Sequence, residues 1–571
     1  AFNLKIRKKA FVVSDRFIIF VLHNQLINNL IPMAKIAFKS DNQGQLQLLP
    51  PSLDELIPAT HPVRVLNNIV DRLDVGKVLA SYKGGGNSCF HPRMMLKVLI
   101  YAYLNNIYSS RKIERQLHEH IHYMWLSGGG RPDFRTINYF RGKRLKDSFD
   151  DIFTRVVEFL HSEGFVSLEV QYIDGTKIES AANKYTFVWR GSIEKYDSRL
   201  REKTRRILSD AEKVLEMESH ETPPDEELSV EEFRARTSRI QEKMNNREVP
   251  KQIRKAVEKT AKESIPKMLE YERALDIMGE RNSYSKTDES ATFMRMKEDA
   301  MKNGQLKPGY NIQIATENQF ITNYAVYHRP TDTLTLIPFL ESFEKRYGRQ
   351  SNVVVADSGY GSEQNYEYLF DHNLIPYVKY NMFHQEQKRG YKKNAFLVQN
   401  LFYNPKGNYY VCPMGQHLSF IREEKRKSDA GYISQVSVYR AARCVGCPVR
   451  GLCNKAVGNR QIEVNHRLNR YKEKIRYLLG SEEGILHRKK RPVEPEAVFA
   501  DIKEAGKFRR FRLRGVAGVN IEFGLKAIAH NIKKITACRG KCVFWCNNLQ
   551  KTTVYYGKNP SLEDHRLGMV A

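Results

Sequence analysis

The sequence predicts an α/β protein built around a mixed sheet, and three features carry that prediction. Two short apolar runs, ending at Ile173 and Ala356, each lead into an aspartate and a glycine-containing turn. Residues 308–329 contain two alternating stretches joined by a polar turn at residues 317–319, a pattern typical of a β-hairpin. Helical periodicity dominates the chain before the first apolar run. Strands and helices thus alternate along one chain, as an α/β fold requires.

Residues 52–165 are predicted to be helical. Ser52 and Glu55 have the spacing of a capping box, and residues 91–106 have the composition of an apolar helix. Basic side chains recur along the later helices, a distribution typical of a DNA-docking unit. The basic residues of this region are Arg111, Lys112, Arg115, Arg135, Arg141, Lys143 and Arg144. A plain helical bundle with a solvated basic face is the alternative interpretation.

The remaining core segments follow the order strand, strand, strand, helix, strand, helix, strand once two long insertions are set aside. That order is expected of a ribonuclease-H-like domain, in which a three-strand meander precedes parallel strands and the first strand neighbours the fourth. Asp174 on the first strand and Asp357 after the fourth would then lie side by side, where open α/β sheets bind ligands. We interpret the two aspartates as half of a metal site.

The insertions differ in composition. Residues 192–300 are dominated by Glu, Lys and Arg, which favours long exposed helices that either contact a partner or are merely solvated. Residues 383–490 are rich in Lys, Arg and Tyr and hold four cysteines, enough for a closed structural zinc site. These cysteines are Cys412, Cys444, Cys447 and Cys453. Free reduced thiols are the alternative, since one tight C-x-x-C pair is present.

A third carboxylate is needed, because two-metal phosphodiester chemistry usually uses at least three acids. Glu496 follows Pro495 at the start of a predicted amphipathic helix and lies seven residues before Lys503, which in an α-helix shares its face. Glu494 and Glu522 are rivals for the role. A basic cluster interleaved with Phe508 and Phe511 follows and suits contact with a phosphate backbone. Its members are Lys507, Arg509, Arg510, Arg512 and Arg514.

The overall charge also predicts a nucleic-acid partner. The 571 residues carry 93 Lys and Arg against 65 Asp and Glu, a formal charge of +28 that attracts polyanions. The apolar N-terminal stretch is interrupted by charged residues and falls short of a membrane span. Residues 1–32 are expected to be upstream translation, and cytoplasmic, nucleoid-associated residence without membrane contact is the expectation.

Five segments together resemble the DDE transposases of bacterial insertion sequences, of the insertion sequence 1182 type with a helical domain ahead of a ribonuclease-H-like core. The matching segments are residues 109–141, 172–189 ("YIDGTKIESAANKYTFVW"), 287–321, 353–369 ("VVVADSGYGSEQNYEYL") and 495–515 ("PEAVFADIKEAGKFRRFRLRG"). They lie within residues 45–537, so the likeness extends over the whole chain.

The resemblance implies roles for individual residues. Asp174 and Asp357 correspond to the first two acids of the triad, and Glu496 with Lys503 matches the family's E-x6-K element. The family commonly has an arginine four residues before this Glu, where the present chain has Pro492, with Arg491 one residue earlier. The choice between Glu494 and Glu496 therefore stays open. Ala500 also stands where the family usually has Gly.

The domain prediction has six parts. It comprises an N-terminal extension (1–44), a helical DNA-binding domain (45–165), a discontinuous ribonuclease-H-like core (166–191, 301–382 and 491–537), a charged helical insertion (192–300), a basic insertion with the cysteines (383–490) and a C-terminal tail (538–571).

By resemblance, the function is binding of terminal inverted repeats by a homodimer, followed by cleavage and strand transfer on double-stranded DNA, both at element ends and at a target. Two Mg²⁺ or Mn²⁺ ions would be the cofactors, with Zn²⁺ as a candidate structural ion. A catalytically inactive or domesticated DNA-binding protein and a structure-specific nuclease of the same fold are the alternatives.

Overall fold

The computed structural model describes residues 52–82, 89–216, 228–296, 304–428 and 431–539. The predicted N-terminal extension and nearly all of the predicted C-terminal tail lie outside the described residues. The helices and strands that follow all belong to one unit of the chain that begins at Leu56.

Helices and strands are numbered in chain order. The helices are α1 (Pro62–Arg72), α2 (Gly76–Ala80), α3 (Pro92–Leu104), α4 (Ser110–Glu119), α5 (Ile121–Ser127), α6 (Phe134–Tyr139), α7 (Phe149–Ser162), α8 (Arg190–Val214), α9 (Val230–Asn245), α10 (Lys251–Lys259), α11 (Ile265–Met278), α12 (Leu336–Tyr347), α13 (Glu363–Asp371), α14 (Phe383–Glu386), α15 (Arg389–Lys393), α16 (Arg450–Cys453), α17 (His466–Gly480), α18 (Glu482–Lys490), α19 (Ala497–Ala500) and α20 (Gly515–Arg539). The strands are β1 (Val170–Glu179), β2 (Phe187–Trp189), β3 (Ser283–Ser285), β4 (Thr292–Arg295), β5 (Leu306–Glu317), β6 (Phe320–Tyr327), β7 (Val353–Ala356), β8 (Ile375–Val378), β9 (Phe402–Asn404), β10 (Tyr409–Val411), β11 (His417–Lys427), β12 (Ile433–Ala441) and β13 (Gln461–Val464). Four short π-helical segments are Phe140–Arg144, Thr260–Ser264, Pro492–Glu496 and Asp501–Ala505.

The central sheet has the predicted mixed topology. Strand β1 is antiparallel to β5 and parallel to β7, and β7 is parallel to β8. On its other side β5 pairs with β6 and, through its first residues, with β4. Asn318 and Gln319 both have positive φ, as a two-residue hairpin turn requires. The predicted neighbourhood of the first and fourth core strands is confirmed, and the fold is ribonuclease-H-like.

Helix α20 joins the N-terminal helices to the sheet. Residues 521–530 of this helix are all buried, because α1, α3, α7 and β6 pack around it. A helix that is apolar on every side belongs inside a core. One hydrophobic cluster accordingly contains Leu99 of α3, Phe153 of α7, Ile314 of β5 and Phe523 of α20. The N-terminal helices thus share their core with the sheet.

The first insertion is helical, as predicted, and contains a core of its own. Helices α8 to α11 bury Leu208, Phe233 and Met268 against one another. Strands β2 and β3 pair at the ends of the insertion and close it against the sheet domain. Long amphipathic helices account for this arrangement, since their apolar stripes need a partner surface.

The second insertion contains a five-stranded antiparallel sheet in the order β13-β12-β11-β10-β9. The sequence did not predict this sheet, because nearly every residue of β11 is exposed and the strand lacks apolar alternation. Its small core holds Leu418, Tyr439 and Ile462. Within the described ranges, no helix is long and apolar enough to cross a membrane.

Candidate active site

The two predicted aspartates lie at the same level of the sheet. Tyr172 of β1 pairs in parallel with Val355 of β7, and each aspartate lies two residues beyond its paired position. Asp174 is 13% exposed and Asp357 is 39% exposed. The Asp357 carboxylate also accepts the backbone N–H of Gly359 at 2.8 Å. The neighbouring strands β1 and β7 therefore bring both acids to one edge of the sheet, Asp174 from within β1 and Asp357 from directly after β7.

Glu496 reaches the same edge through a π-helical turn. The turn spans Pro492–Glu496, where Pro495 has no N–H to donate to the carbonyl of Arg491 and would clash with it in a regular α-helix. The wider turn places residues five apart on one face. Arg491 and Glu496, five apart, accordingly form a hydrogen bond of 3.1 Å between Nη1 and Oε1.

Arg491 lies at the centre of the three acids. Its Nη2 is 3.3 Å from Asp174 Oδ1 and 3.7 Å from Asp357 Oδ2, while its Nη1 contacts Glu496. The arginine side chain is only 9% exposed, so its charge acts in a partly dehydrated setting. We call Asp174, Asp357 and Glu496 the acidic edge. One guanidinium is shared by three carboxylates, which leaves an excess of negative charge.

The two rival glutamates lie elsewhere. Glu494 is buried, and its carboxylate accepts the backbone N–H of Gln319 at 2.7 Å in the β5–β6 turn. Glu522 is fully buried in α20 and accepts the N–H groups of Arg512 and Leu513, both at 2.8 Å. Burial raises the pKa of both carboxyl groups. Of the three glutamates singled out in the sequence, Glu496 pairs its carboxylate with the Arg491 guanidinium, whereas Glu494 contacts Arg491 through its backbone N–H, which donates to the Arg491 carbonyl.

Lys503 follows in a second π-helical segment, Asp501–Ala505, and is half-buried. The seven-residue spacing from Glu496 therefore does not align the two side chains as it would in a regular α-helix. The basic cluster after it alternates as expected, with Phe508 and Phe511 buried. Its cationic members are all exposed: Lys507, Arg509, Arg510, Arg512 and Arg514.

Two of these arginines are already held by the protein. Arg510 donates to the carbonyls of Ser180 and Ala182 at 3.0 and 2.9 Å, just beyond the end of β1. Arg509 pairs with Glu504. The cluster is thereby fixed to the core strand that carries Asp174.

The basic residues of the N-terminal helices divide into two groups. Arg141 is 2% exposed and donates to Tyr103, Tyr108 and Asn138, so the expectation that its side chain contacts DNA is corrected: it holds helices together. Arg144 is half-buried, with its guanidinium 4.3 Å from the ring centre of Tyr82. The exposed members are Arg111, Lys112, Arg115, Arg135 and Lys143. The apolar position of Arg141 between two tyrosines cannot be inferred from its charge.

Lys379 was not singled out by the sequence. It follows β8 and is half-buried. Burial is the largest cause that lowers the pKa of its ammonium group, and the positive charges of Arg491 and Arg488 lower this pKa further. The negative charges of Asp357 and Glu496 act in the opposite direction. It therefore lies close to the acidic edge. Its position directly after a buried strand, like that of Asp357, is the signal that could have identified it.

The four predicted zinc ligands contact groups of the protein. Cys412 Sγ accepts the N–H of Gln416 at 3.3 Å, and Cys444 Sγ accepts the N–H of Arg460 at the same distance. The guanidinium of Arg460 donates to Cys453 at 3.0 Å, and Cys447 donates its N–H to the Cys444 carbonyl. Zinc binding stays a prediction for these residues.

Metal-ligand geometry is not preformed at either place. Within the part of the chain that the structure describes, no three His, Cys, Asp or Glu side chains are arranged as ligands of one ion. At the acidic edge the guanidinium of Arg491 lies among the carboxylates. Three hard oxygen donors that converge on a cation have the chemistry that Mg²⁺ and Mn²⁺ require, so the residues present fit such ions.

A ribonuclease-H-like sheet with acids gathered at one edge defines a structural class of proteins. Comparison with known families narrows the class. Residues 411–536 match the family model described as Transposase DDE domain, and residues 51–143 match Transposase domain (DUF772). The two domains indicate a DDE transposase. Neither a curated protein nor a solved structure gives a significant match.

The two matches cover different parts of the site. The DDE-domain match includes Glu496 and Lys503 together with the cysteine-bearing sheet, and the other match covers most of the N-terminal helices. Asp174 and Asp357 lie between the matched ranges, so their assignment rests on the geometry of the sheet.

Proposed function

We propose that this protein is an insertion-sequence transposase that binds terminal inverted repeats and catalyses divalent-metal-dependent strand cleavage and strand transfer. The observation that carries the proposal is the convergence of Asp174, Asp357 and Glu496 on Arg491, in a chain with two transposase domains. The insertion sequence 1182 type and nucleoid-associated residence in the cytoplasm are part of the proposal.

The acidic edge would hold two Mg²⁺ or Mn²⁺ ions, with Glu496 as the third acid in preference to Glu494 and Glu522. Such ions lower the pKa of bound water and offset the charge that develops on the phosphate. The protein itself contributes fixed carboxylate oxygens, and β1 and β7 hold two of them rigidly. Where cations took the place of Arg491 among the carboxylates, its guanidinium would be able to bind a phosphate bidentately.

The DNA path in this proposal runs along β1, from the acidic edge at Asp174 to the basic cluster beyond Glu179. The exposed basic cluster at residues 507–514 adjoins β1, since Arg510 is bonded to the residues directly after that strand. Arg111 and Arg135 lie within 4.8 and 5.7 Å of the ring centre of Phe134, which brings α4 and α6 basic groups onto one surface. We assign backbone contacts to the cluster and repeat recognition to the N-terminal helices.

Two steps of the same in-line type complete the reaction. Attack of water on a phosphodiester at the element end releases a 3′-hydroxyl and a 5′-phosphate. The freed 3′-hydroxyl then attacks a phosphodiester of the target, so that a new bond replaces the broken one and a target 3′-hydroxyl leaves. A homodimer would hold both element ends together for these steps.

The experiment uses a supercoiled plasmid carrying the gene and its flanking DNA. With Mg²⁺ or Mn²⁺, the wild-type protein should cut at the borders of the flanks. Asp174→Ala should abolish cutting while a gel-shift assay shows retained binding to the same DNA. Cutting by the variant would remove Asp174 from the mechanism.

The same plasmid separates the alternatives. Binding without any cutting by the wild-type protein would favour a domesticated DNA-binding protein. Equal cutting of branched DNA that lacks the flanks would favour a structure-specific nuclease. A negative-stain or light-scattering measurement on the DNA complex would test the homodimer.

A further inference from the structure

We propose that Asp332 is a fourth carboxylate at the acidic edge, a positioning residue whose charge strengthens divalent-cation binding by Asp174 and Asp357. This inference rests on the proposed function, because it adds a residue to the same site. Asp332 lies in the loop between β6 and α12 and is half-buried.

The loop is tied to the turn that carries Asp357. The carbonyl of Asp332 accepts the N–H and the hydroxyl of Thr335 at 3.0 and 2.7 Å. Its neighbour Thr333 donates its hydroxyl to the carbonyl of Gly359 at 2.7 Å. Because Gly359 also donates its N–H to the Asp357 carboxylate, one turn fixes both acids.

A row of buried polar groups fixes the Asp332 side chain. Its Oδ1 accepts the side-chain amides of Asn311 and Gln313 at 2.8 and 2.9 Å, and both amide residues are at most 1% exposed. The hydroxyl of Tyr360 donates to Gln313 Oε1. Since that bond uses the amide oxygen, Gln313 must present its nitrogen to Asp332. Two bonds from buried amides therefore hold one carboxylate oxygen in place.

Glycines leave the space in which these groups meet. Gly175 pairs with Gln313 across β1 and β5, and a Cβ at that position would lie 2.2 Å from Gln313 Nε2 and 2.6 Å from Asp332 Oδ1. A Cβ on Gly359 would lie 3.0 Å from Asp357 Oδ1 and 3.9 Å from Asp332 Cβ. No side chain fits at 175 without displacing Gln313 or Asp332. The glycine after Asp174 is thus explained by the side chains of Gln313 and Asp332, which occupy the face of β1 opposite to the Asp174 side chain.

The pKa of Tyr360 is a second sign that Asp332 lies near Asp174 and Asp357. It is fully buried, and burial raises the pKa of its hydroxyl well above the usual value; the charges of Asp332, Asp174 and Asp357 raise it further. The phenol consequently stays protonated in the physiological range and keeps donating to Gln313. The orientation of the amide, and with it the position of Asp332, does not depend on pH there.

The charge balance gives Asp332 its effect. The hydroxyl of Tyr360 is exposed to the charges of Asp332, Asp174 and Asp357 and to the opposing charge of Arg491, so Asp332 adds a further negative charge to this region. Each added negative charge near a site strengthens its attraction for divalent ions. Removing a group that orients the ligands of a metal ion typically weakens the affinity for the metal about 10–100-fold.

The test is a Mn²⁺ titration of the full-length protein without DNA, followed by electron paramagnetic resonance. Asp332→Asn keeps the size of the side chain and removes its charge, so we expect about tenfold weaker Mn²⁺ binding. Cleavage should require about tenfold more Mn²⁺ for half-maximal rate, while the rate at saturating Mn²⁺ stays within about threefold.

Asp288→Asn is the matched control. Asp288 is 4% exposed and accepts the hydroxyl of Tyr310, but it lies beside Ser180 beyond the far end of β1. Its loss should reduce stability without changing Mn²⁺ affinity. Equal loss of affinity in both variants would assign the effect to general destabilisation and overturn the proposal.

Asp174→Asn separates this inference from the proposed function. If Asp174→Asn weakens Mn²⁺ binding and Asp332→Asn binds like wild type, the role of Asp332 is overturned and the active site stands. If Asp174→Asn also binds like wild type, the site itself fails. Should Asp332→Asn not fold, Tyr360→Phe replaces it: loss of the hydroxyl that orients Gln313 should weaken Mn²⁺ binding about threefold, and unchanged binding would overturn the proposal.

Discussion

Two arginine–carboxylate clusters in this protein have opposite characters. In the first insertion, Arg236 and Glu212 form a one-to-one pair with side chains 10% and 6% exposed, and the guanidinium donates through both Nε and Nη2. At the acidic edge one guanidinium serves three acids that are 13%, 39% and 52% exposed. The first cluster is charge-balanced and closed. The second has surplus negative charge and an open side, which is the condition for recruiting further cations.

The comparison also separates buried acids from accessible acids near the site. Glu494 and Glu522 are satisfied by backbone N–H groups and buried. Glu496 is half-exposed and bonded to Arg491. Burial with backbone donors marks an acid that stabilises the fold, whereas partial exposure beside other acids marks one available to a ligand.

The largest expected effect is loss of catalysis at the acidic edge. Glu496→Gln should reduce the cleavage rate about a thousandfold, equivalent to ~4 kcal/mol of transition-state stabilisation, because a hard anionic ligand is lost. Glu494→Gln is the matched control and should cleave normally when folded. The rates are compared in the plasmid assay, and a reversed outcome would make Glu494 the third acid.

A substitution in the Arg236–Glu212 pair should instead change the stability of the protein. Glu212→Gln leaves the buried charge of Arg236 without its counter-charge, which should lower the free energy of unfolding of the insertion by about 3 kcal/mol. The cleavage rate per folded molecule should not change. Urea unfolding followed by circular dichroism measures the first quantity. A variant as stable as wild type would show that the two clusters do not differ in this way.

The smallest expected effect is ligand-linked stabilisation. Saturating Mn²⁺ should stabilise the wild-type protein by about 1–2 kcal/mol and raise its melting temperature by about 1–3 °C. Glu212→Gln should show the same shift from its lower baseline, and Asp174→Asn should show none. Scanning calorimetry with and without EDTA makes the measurement. A shift that survives in Asp174→Asn would place the stabilising ion elsewhere.

Much of the fold followed from local patterns. The β-branched run before Asp357 and the apolar run before Asp174 are buried strands, and the polar turn at residues 318 and 319 is a hairpin. Asp357 directly follows β7 and Asp174 lies within the neighbouring β1, so the predicted strand order placed the two aspartates side by side. The charge pattern of the first insertion also predicted its helices correctly.

Other features depended on contacts between distant segments. The π turn at Pro492–Glu496 arises from Pro495 in a folded helix, so a residue count alone left the third acid open. Arg141 can be buried because the Tyr103 hydroxyl, the Tyr108 carbonyl and the Asn138 side chain accept its protons, and these contacts leave no pattern in the sequence around it. Strand β11 is too polar on both faces to show a strand period. No local sequence motif marks Asp332, because the residues that hold its side chain, Asn311 and Gln313, lie on the distant strand β5.

The central position of α20 has a consequence during synthesis. Helices near the beginning of the chain and the β-sheet both pack against a segment that leaves the ribosome after residue 515. Neither half can finish its interior beforehand, so a prematurely terminated or frameshifted polypeptide would expose apolar surface and be degraded. The shared core of the sheet and the N-terminal helices would be completed only after α20 has been translated.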